Sequence, residues 1–249
     1  MSNDATDKQS IRETYERSIG PWQDIYTPVL EADPAIVEAF VAFRRVPFSA
    51  GNLPRKYQEL ILLAVNASAT HLYVPAITAH MKNAISEGAS SDEVLEVLEM
   101  VSVIGMHTCS TGVPILLEEL AAAGMSPPKQ LSSRQQDVKD RFLKERGWWS
   151  DFLEAMVILQ PDLLEAYVGY STVPWKRGAI PPKIKELVYI AIDAQTTHLY
   201  VEGLRSHIRN ALKLGATAEE ITEVFALISG MGFHTLTVAV PELLKLKSR

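Results

Sequence analysis

The sequence predicts an all-α fold made by tandem duplication of one helical unit. Three observations carry this: an ungapped internal repeat, apolar residues at helical spacing, and helix-ending signals matched between the two halves. Shifted against itself by 127 positions, the chain aligns LPRKYQELILLAVNASATHLYVPAITAHMKNAISEGASSDEVLEV, from Leu53, with IPPKIKELVYIAIDAQTTHLYVEGLRSHIRNALKLGATAEEITEV, from Ile180. The match runs back to ADPAIVEAFVAF, from Ala32, against LQPDLLEAYVGY, from Leu159. It runs forward to GMHT and VPILLEEL against GFHT and VPELLKL. Each half is one copy of a unit of about 100 residues.

Along the chain, residues 1–22 read as a polar N-terminal segment, 23–124 as the first repeat, 125–149 as a linker with a lead-in helix, and 150–249 as the second repeat. The linker assignment rests on MSPPKQLSSRQQDVKDR, from Met125, which is Pro/Ser-rich and then charged. Within each copy, stretches such as ELILLAVNA and EVLEVLEMVSVIGM space their apolar residues as helices do, with few alternating β-branched runs. Pro54 and Pro181 lie where the start of a helix tolerates proline, and Gly88 and Gly215 follow helices as stops. Ser90 with Glu93, and Thr217 with Glu220, form capping boxes that start the next helix.

With 249 residues, 47% apolar and 22% charged, the chain can bury a substantial core and reads as a soluble globular protein. A net charge of -6 without a Lys/Arg cluster argues against nucleic-acid binding, which needs concentrated positive charge. The polar start MSNDATDKQSIRETYERS is no signal peptide, and no stretch is read as approaching the roughly 20 apolar residues that span a bilayer. A cytoplasmic protein without membrane association is expected. Cys109 is the only cysteine, which rules out an internal disulfide, a thiolate zinc cluster or a dithiol redox centre within one chain.

All six histidines fall into three aligned pairs: His71 with His198, His80 with His207, and His107 with His234. Glu59 and Glu186 are paired too, each in a strongly apolar helix where an isolated carboxylate is costly to bury, so each needs a partner. Three neutral imidazoles and one carboxylate per repeat suit a divalent Zn, Fe, Mn, Ni or Cu ion. The expected sites are Glu59, His71, His80 and His107, and Glu186, His198, His207 and His234. The alternative is a buried histidine and glutamate that satisfy each other in a helical core. His71 and His80 are nine residues apart and share a site only if the helix breaks between them; Pro75 offers a break in the first copy, where the second has Glu202. Tyr73 and Tyr200 read as core aromatics that could instead reach a ligand, and Arg205, opposite Thr78, as solvated. Trp148 and Trp149 read as packing residues and Cys109 as a small buried hydrophobe.

The combination of E-L, then H-x-x-N/R-A-(I/L), then G-A-(S/T)-x-(D/E)-E-(V/I) resembles the carboxymuconolactone decarboxylase and alkyl hydroperoxidase D superfamily across nearly all of both copies. The resemblance implies an alkyl hydroperoxidase D-like helical unit that assembles as six-membered rings, for which a two-unit chain would form a homotrimer. It also implies that Glu59 and Glu186 match the relay glutamate and that His80 and His207 match the family histidine, as catalytic residues. The hydroperoxidase branch carries C-x-x-C before that histidine. Here those places hold Tyr73 and Ala76, and Tyr200 and Gly203, so thiol peroxidase chemistry cannot run. The decarboxylase branch acts on a carboxylated lactone without a metal, as a shorter single-unit chain, and lacks the additional histidines.

Three functions compete at this level. The first is a metal-dependent enzyme acting on a small carboxylated or carbonyl compound by decarboxylation, ring opening or oxygenation. The second is a metal-free decarboxylase using Glu59/His80 and Glu186/His207 as general acid/base pairs. The third is a non-catalytic helical assembly or binding protein.

Overall fold

In the computed structural model, which describes residues 2–125 and 130–247, helices and turns account for the fold and no strand occurs among the described residues. The first copy contributes α1 (Ser2–Ser18), α2 (Thr27–Ala32), α3 (Pro34–Ala50), α4 (Arg55–Ala67), α5 (Val74–Ser86), α6 (Ser91–Ser102) and α7 (His107–Ala122). The second contributes α8 (Ser133–Arg146), α9 (Asp151–Leu159), α10 (Pro161–Arg177), α11 (Pro182–Ala194), α12 (Val201–Lys213), α13 (Ala218–Ser229) and α14 (His234–Lys247). Part of the expected linker, residues 126–129, lies outside the described residues.

The segment set apart as a polar N-terminus is α1, the counterpart of the lead-in helix α8. Its Ile11, Tyr15 and Ile19 are buried with Tyr26, Val29, Leu30, Val37, Phe40 and Val41. The capping boxes form as the sequence requires: Ser90 N–H donates to Glu93 at 2.8 Å and Thr217 N–H to Glu220 at 2.9 Å, with the hydroxyls accepting in return. Gly88 and Gly215 end α5 and α12 with φ of 89° and 82°, a left-handed geometry that glycine adopts without strain.

The chain divides into two compact units, and neither is one sequence repeat. The larger joins Met1–Val97 to Ile180–Arg249, and the smaller is Leu98–Ala179. In the larger unit the hairpins α4–α5 and α11–α12 pack through α4 and α11. Every residue from Gln58 to Asn66 and from Ile184 to Asp193 is buried, the pattern of helices hydrophobic all round. Helix α13 packs on α3 and α14 on α2, so the end of the second copy completes the core begun by the first; Phe233 stacks on Phe40 at 3.8 Å. In the smaller unit the exchange is reciprocal. Helix α7, from the first copy, packs on α9, and Phe142, Leu153, Met156, Leu164 and Val168 form the core.

Two polar bridges lock the copies within the larger unit. Glu223 of α13 accepts from the backbone of Asn52 and Leu53, from the Asn52 amide, and from Gln58 at 2.8 Å. At the matched place Glu96 of α6 pairs with Lys185 at 2.7 Å and accepts from Ile180 N–H. One expectation is corrected. The helical runs Ser91–Ala122 and Ala218–Lys247 are long and apolar enough, with hydropathy of 1.5 and 1.6, to cross a membrane by length and composition. Each is interrupted by a tight 3-10 turn, at Val103–Met106 and Gly230–Phe233.

Candidate functional site

The candidate site is built where α4 turns into α5, and again where α11 turns into α12. The break expected at Pro75 comes earlier and is the same in both copies. Ser68 and Gln195 leave the helix, and Leu72 and Leu199 take left-handed φ values of 47° and 50°. The turn is closed by Tyr73 N–H to Asn66 C=O at 3.0 Å and Tyr200 N–H to Asp193 C=O at 2.9 Å. Pro75 sits in the first turn of α5 and is not the cause, so Glu202 at the matched place costs the second copy nothing.

Glu59 and Glu186 find the partners their burial demands. Glu59 Oε2 lies 2.7 Å from His80 Nδ1, and Glu186 Oε2 lies 2.6 Å from His207 Nδ1. Arg55 pairs with the other Glu59 oxygen at 2.8 Å, lies 3.8 Å over the Phe48 ring, and donates to the Ile19 carbonyl. Burial pushes the Glu59 carboxyl up, but the His80 contact together with Arg55 and Arg44 holds it below the ordinary carboxylate range. The second copy has Pro182 in place of Arg55, and there Tyr189 stacks on His207 at 4.7 Å.

The remaining histidines do not gather as the repeats suggest. His71 Nε2 lies 3.0 Å from Nδ1 of His234, so the turn histidine of the first copy pairs with the third histidine of the second. Burial first, then the neighbouring His71, Arg44 and His80, lower His234 to about 3, which keeps its ring neutral. Tyr73 joins this cluster, its hydroxyl 2.7 Å from Thr237 Oγ1 and its ring 4.3 Å from that of His234. His107 opens α7 in the smaller unit, half-buried. The expected set of Glu59, His71, His80 and His107 is thus divided between the two units. In the larger one Glu59 is already held by Arg55 and His80, and His71 by His234, an arrangement that does not suit a metal in the first copy. In the second copy, His234 belongs to the His71 pair.

Sequence reasoning passed over Asp193, which replaces Asn66 at the end of α11. Its carboxyl lies 4.0 Å from His198 Nε2 and 3.9 Å from His207 Nε2. Burial raises it to about 7 against the opposing pull of His207, with Glu186 adding to the rise. An acid replacing an amide inside an otherwise apolar run was the available signal. Arg55, Arg44, Glu96 and Glu223 were also missed, since each reads as an ordinary surface charge in one dimension.

A cavity of about 230 Å³ opens beside the first dyad, lined by Arg17, Gly20, Arg55, Glu59, Asn83 and others. In the smaller unit Cys109, half-buried, lines a separate apolar pocket of about 310 Å³ with Met106, Tyr167 and Tyr170. Trp148 and Trp149 pack edge-on against Phe142 in that unit, and Arg205 is exposed.

Comparisons with known proteins agree with this architecture. A crystal structure from Burkholderia xenovorans LB400, of a protein provisionally named a gamma-carboxymuconolactone decarboxylase subunit, is 42% identical. It has a TM-score of 0.91, with 97% of this chain and 98% of that one covered. A comparison with curated proteins finds no significant match. The model of the carboxymuconolactone decarboxylase family matches residues 34–109 and 161–241, once in each copy, and this chain belongs to that family.

Proposed function

We propose that this protein is a decarboxylase-like enzyme for a small carboxylated compound bearing a conjugated carbonyl, with an imidazole held by a carboxylate as its acid/base group. The observation that carries the reading is the Glu59–His80 contact of 2.7 Å, repeated as Glu186–His207 at 2.6 Å. In such a reaction the bond to the carboxylate breaks and its electron pair passes into the conjugated carbonyl. Carbon dioxide leaves, and one proton is taken up at the carbon it left. Glu59 accepts the Nδ1–H of His80, which leaves Nε2 to carry that proton, and the carboxylate stabilises the imidazolium before transfer. His80, with Arg55 and Arg44, holds Glu59 ionised, and Arg55, Asn83 and Glu59 itself line the neighbouring cavity. Assembly as a homotrimer, read by light scattering, belongs to the same proposal.

The test is release of carbon dioxide from carboxylated lactones by the wild type, His80→Gln and His207→Gln. Loss of a positioned acid/base group lowers kcat by about 10²- to 10⁴-fold. That loss is expected in His80→Gln, with wild-type turnover persisting in chelator. Unchanged kcat in both variants sinks the proposal.

A further inference from the structure

Arg44 of α3 is a buried cation, 7% exposed, and among the described residues no carboxylate pairs with it. A guanidinium carries five N–H donors. The hydrogen bond it makes among the described residues is from Nη1 to the Leu227 carbonyl, and the Phe48 ring lies 5.0 Å away. Glu59, on which its charge bears, is already held by Arg55 at 2.8 Å and by His80 at 2.7 Å. Burying a charge without a paired partner is costly, so its retention calls for an anion from outside the chain.

The fold makes room for this side chain. A methyl at Gly230 would come within 2.9 Å of Arg44 Nη1 and 3.1 Å of its Cδ. The second copy has neither half of the arrangement: Ser171 stands for Arg44, and Val103 is the counterpart of Gly230. The difference extends to the residues around it. Arg55, and the buried phenols Tyr15 and Tyr26 on which the Arg44 charge also bears, have Pro182, Phe142 and Leu153 as counterparts 127 positions further on. A polar surround about one dyad has thus become apolar about the other.

We propose that Arg44 is the carboxylate-binding residue of the first copy's site, so that each chain takes up one carboxylated ligand, beside Glu59 and His80, and none at the matched place in the second copy. With Nη1 committed to Leu227, the Nε and Nη2 edge remains, a fork that matches the two oxygens of a carboxylate. His234, on which Arg44 also bears, is neutral and does not compete with that anion for the guanidinium. Arg44 fixes the ligand and takes no proton. The inference rests on the proposed function only in taking the ligand to be the carboxylated compound, and it concerns binding rather than loss of carbon dioxide.

The full-length chain is titrated calorimetrically with γ-butyrolactone-γ-carboxylate, whose saturated ring offers no conjugated path for decarboxylation, and with its uncharged methyl ester. One equivalent of the acid per chain is expected for the wild type, with the ester weaker by about 10-fold or more. Arg44→Gln is expected to weaken the acid about 10- to 100-fold and to leave the ester unchanged, with the fold checked by circular dichroism. Arg44→Lys keeps the buried charge but loses the fork, and an intermediate loss is expected even where Arg44→Gln fails to fold. Arg44-dependent binding of the acid by a protein that releases no carbon dioxide from any lactone supports the inference and removes the decarboxylase reading alone. Equal affinity for acid and ester, two equivalents per chain, or undiminished binding of the acid in folded Arg44→Gln overturns the inference.

Discussion

His234 shows how far burial reshapes one side chain. Its imidazole ordinarily titrates near 6.5 and is lowered to about 3 in the folded chain. Below 6.5 the unfolded state takes up a proton that the folded state refuses, so this contribution is intact above 6.5 and is lost as the pH falls from 6.5 towards 3. The slope for one such group is about 1 kcal/mol per pH unit, and each kcal/mol moves the thermal midpoint of a chain this size by about 2 to 4 °C. Melting curves at pH 7, 6 and 5 should show the midpoint falling, and falling less steeply in His234→Gln; equal slopes in both would refute the account. At this scale the pairing of Glu59 and Glu186 with buried partners was legible, because an apolar run announces that a carboxylate within it is buried. The identity of each partner was legible only for His80 and His207. His71 meets His234 through the exchange of helices between copies, and aligning one repeat on the other does not reveal which residues cross over.

Among the elements, the α4–α5 and α11–α12 turns concentrate the strain. Leu72 and Leu199 are 59% and 60% exposed, so neither has packing to offset a left-handed backbone that costs a non-glycine residue about 1 to 2 kcal/mol. Leu72→Gly removes that cost and gives back part of it as unfolded-chain entropy, so a thermal midpoint raised by about 1 to 3 °C is expected in calorimetry. A fall of several degrees would mean that Leu72 makes contacts its exposure does not indicate. Helix boundaries set by capping boxes and glycine stops could be read directly from the chain. The break after Ala67 could not, since no proline or glycine marks it and its cause is a backbone turn closed by Asn66 and Tyr73.

For the whole molecule, duplication was plain in the sequence but the partition into compact units was not. Residues 127 apart look equivalent, yet α7 and α14 each complete a core begun by the other copy. Glu223 is the clearest point of this interlock, because four donors of the first copy converge on one carboxylate from the second. Removing a buried acceptor strands its donors at about 1 to 3 kcal/mol apiece when water cannot reach them. Glu223→Ala is accordingly expected to cost about 3 to 5 kcal/mol in urea unfolding, and a loss below 1 kcal/mol would show that water replaces the carboxylate.

The Phe40–Phe233 stack also bears on how the protein is made. A ribosome releases Phe40 well before Phe233, so the larger unit cannot close this part of its core until its second segment has also emerged. The smaller unit, contiguous in sequence, is the part able to fold during translation. Contacts this distant along the chain slow folding and prolong the exposure of the apolar helices that wait for their partners.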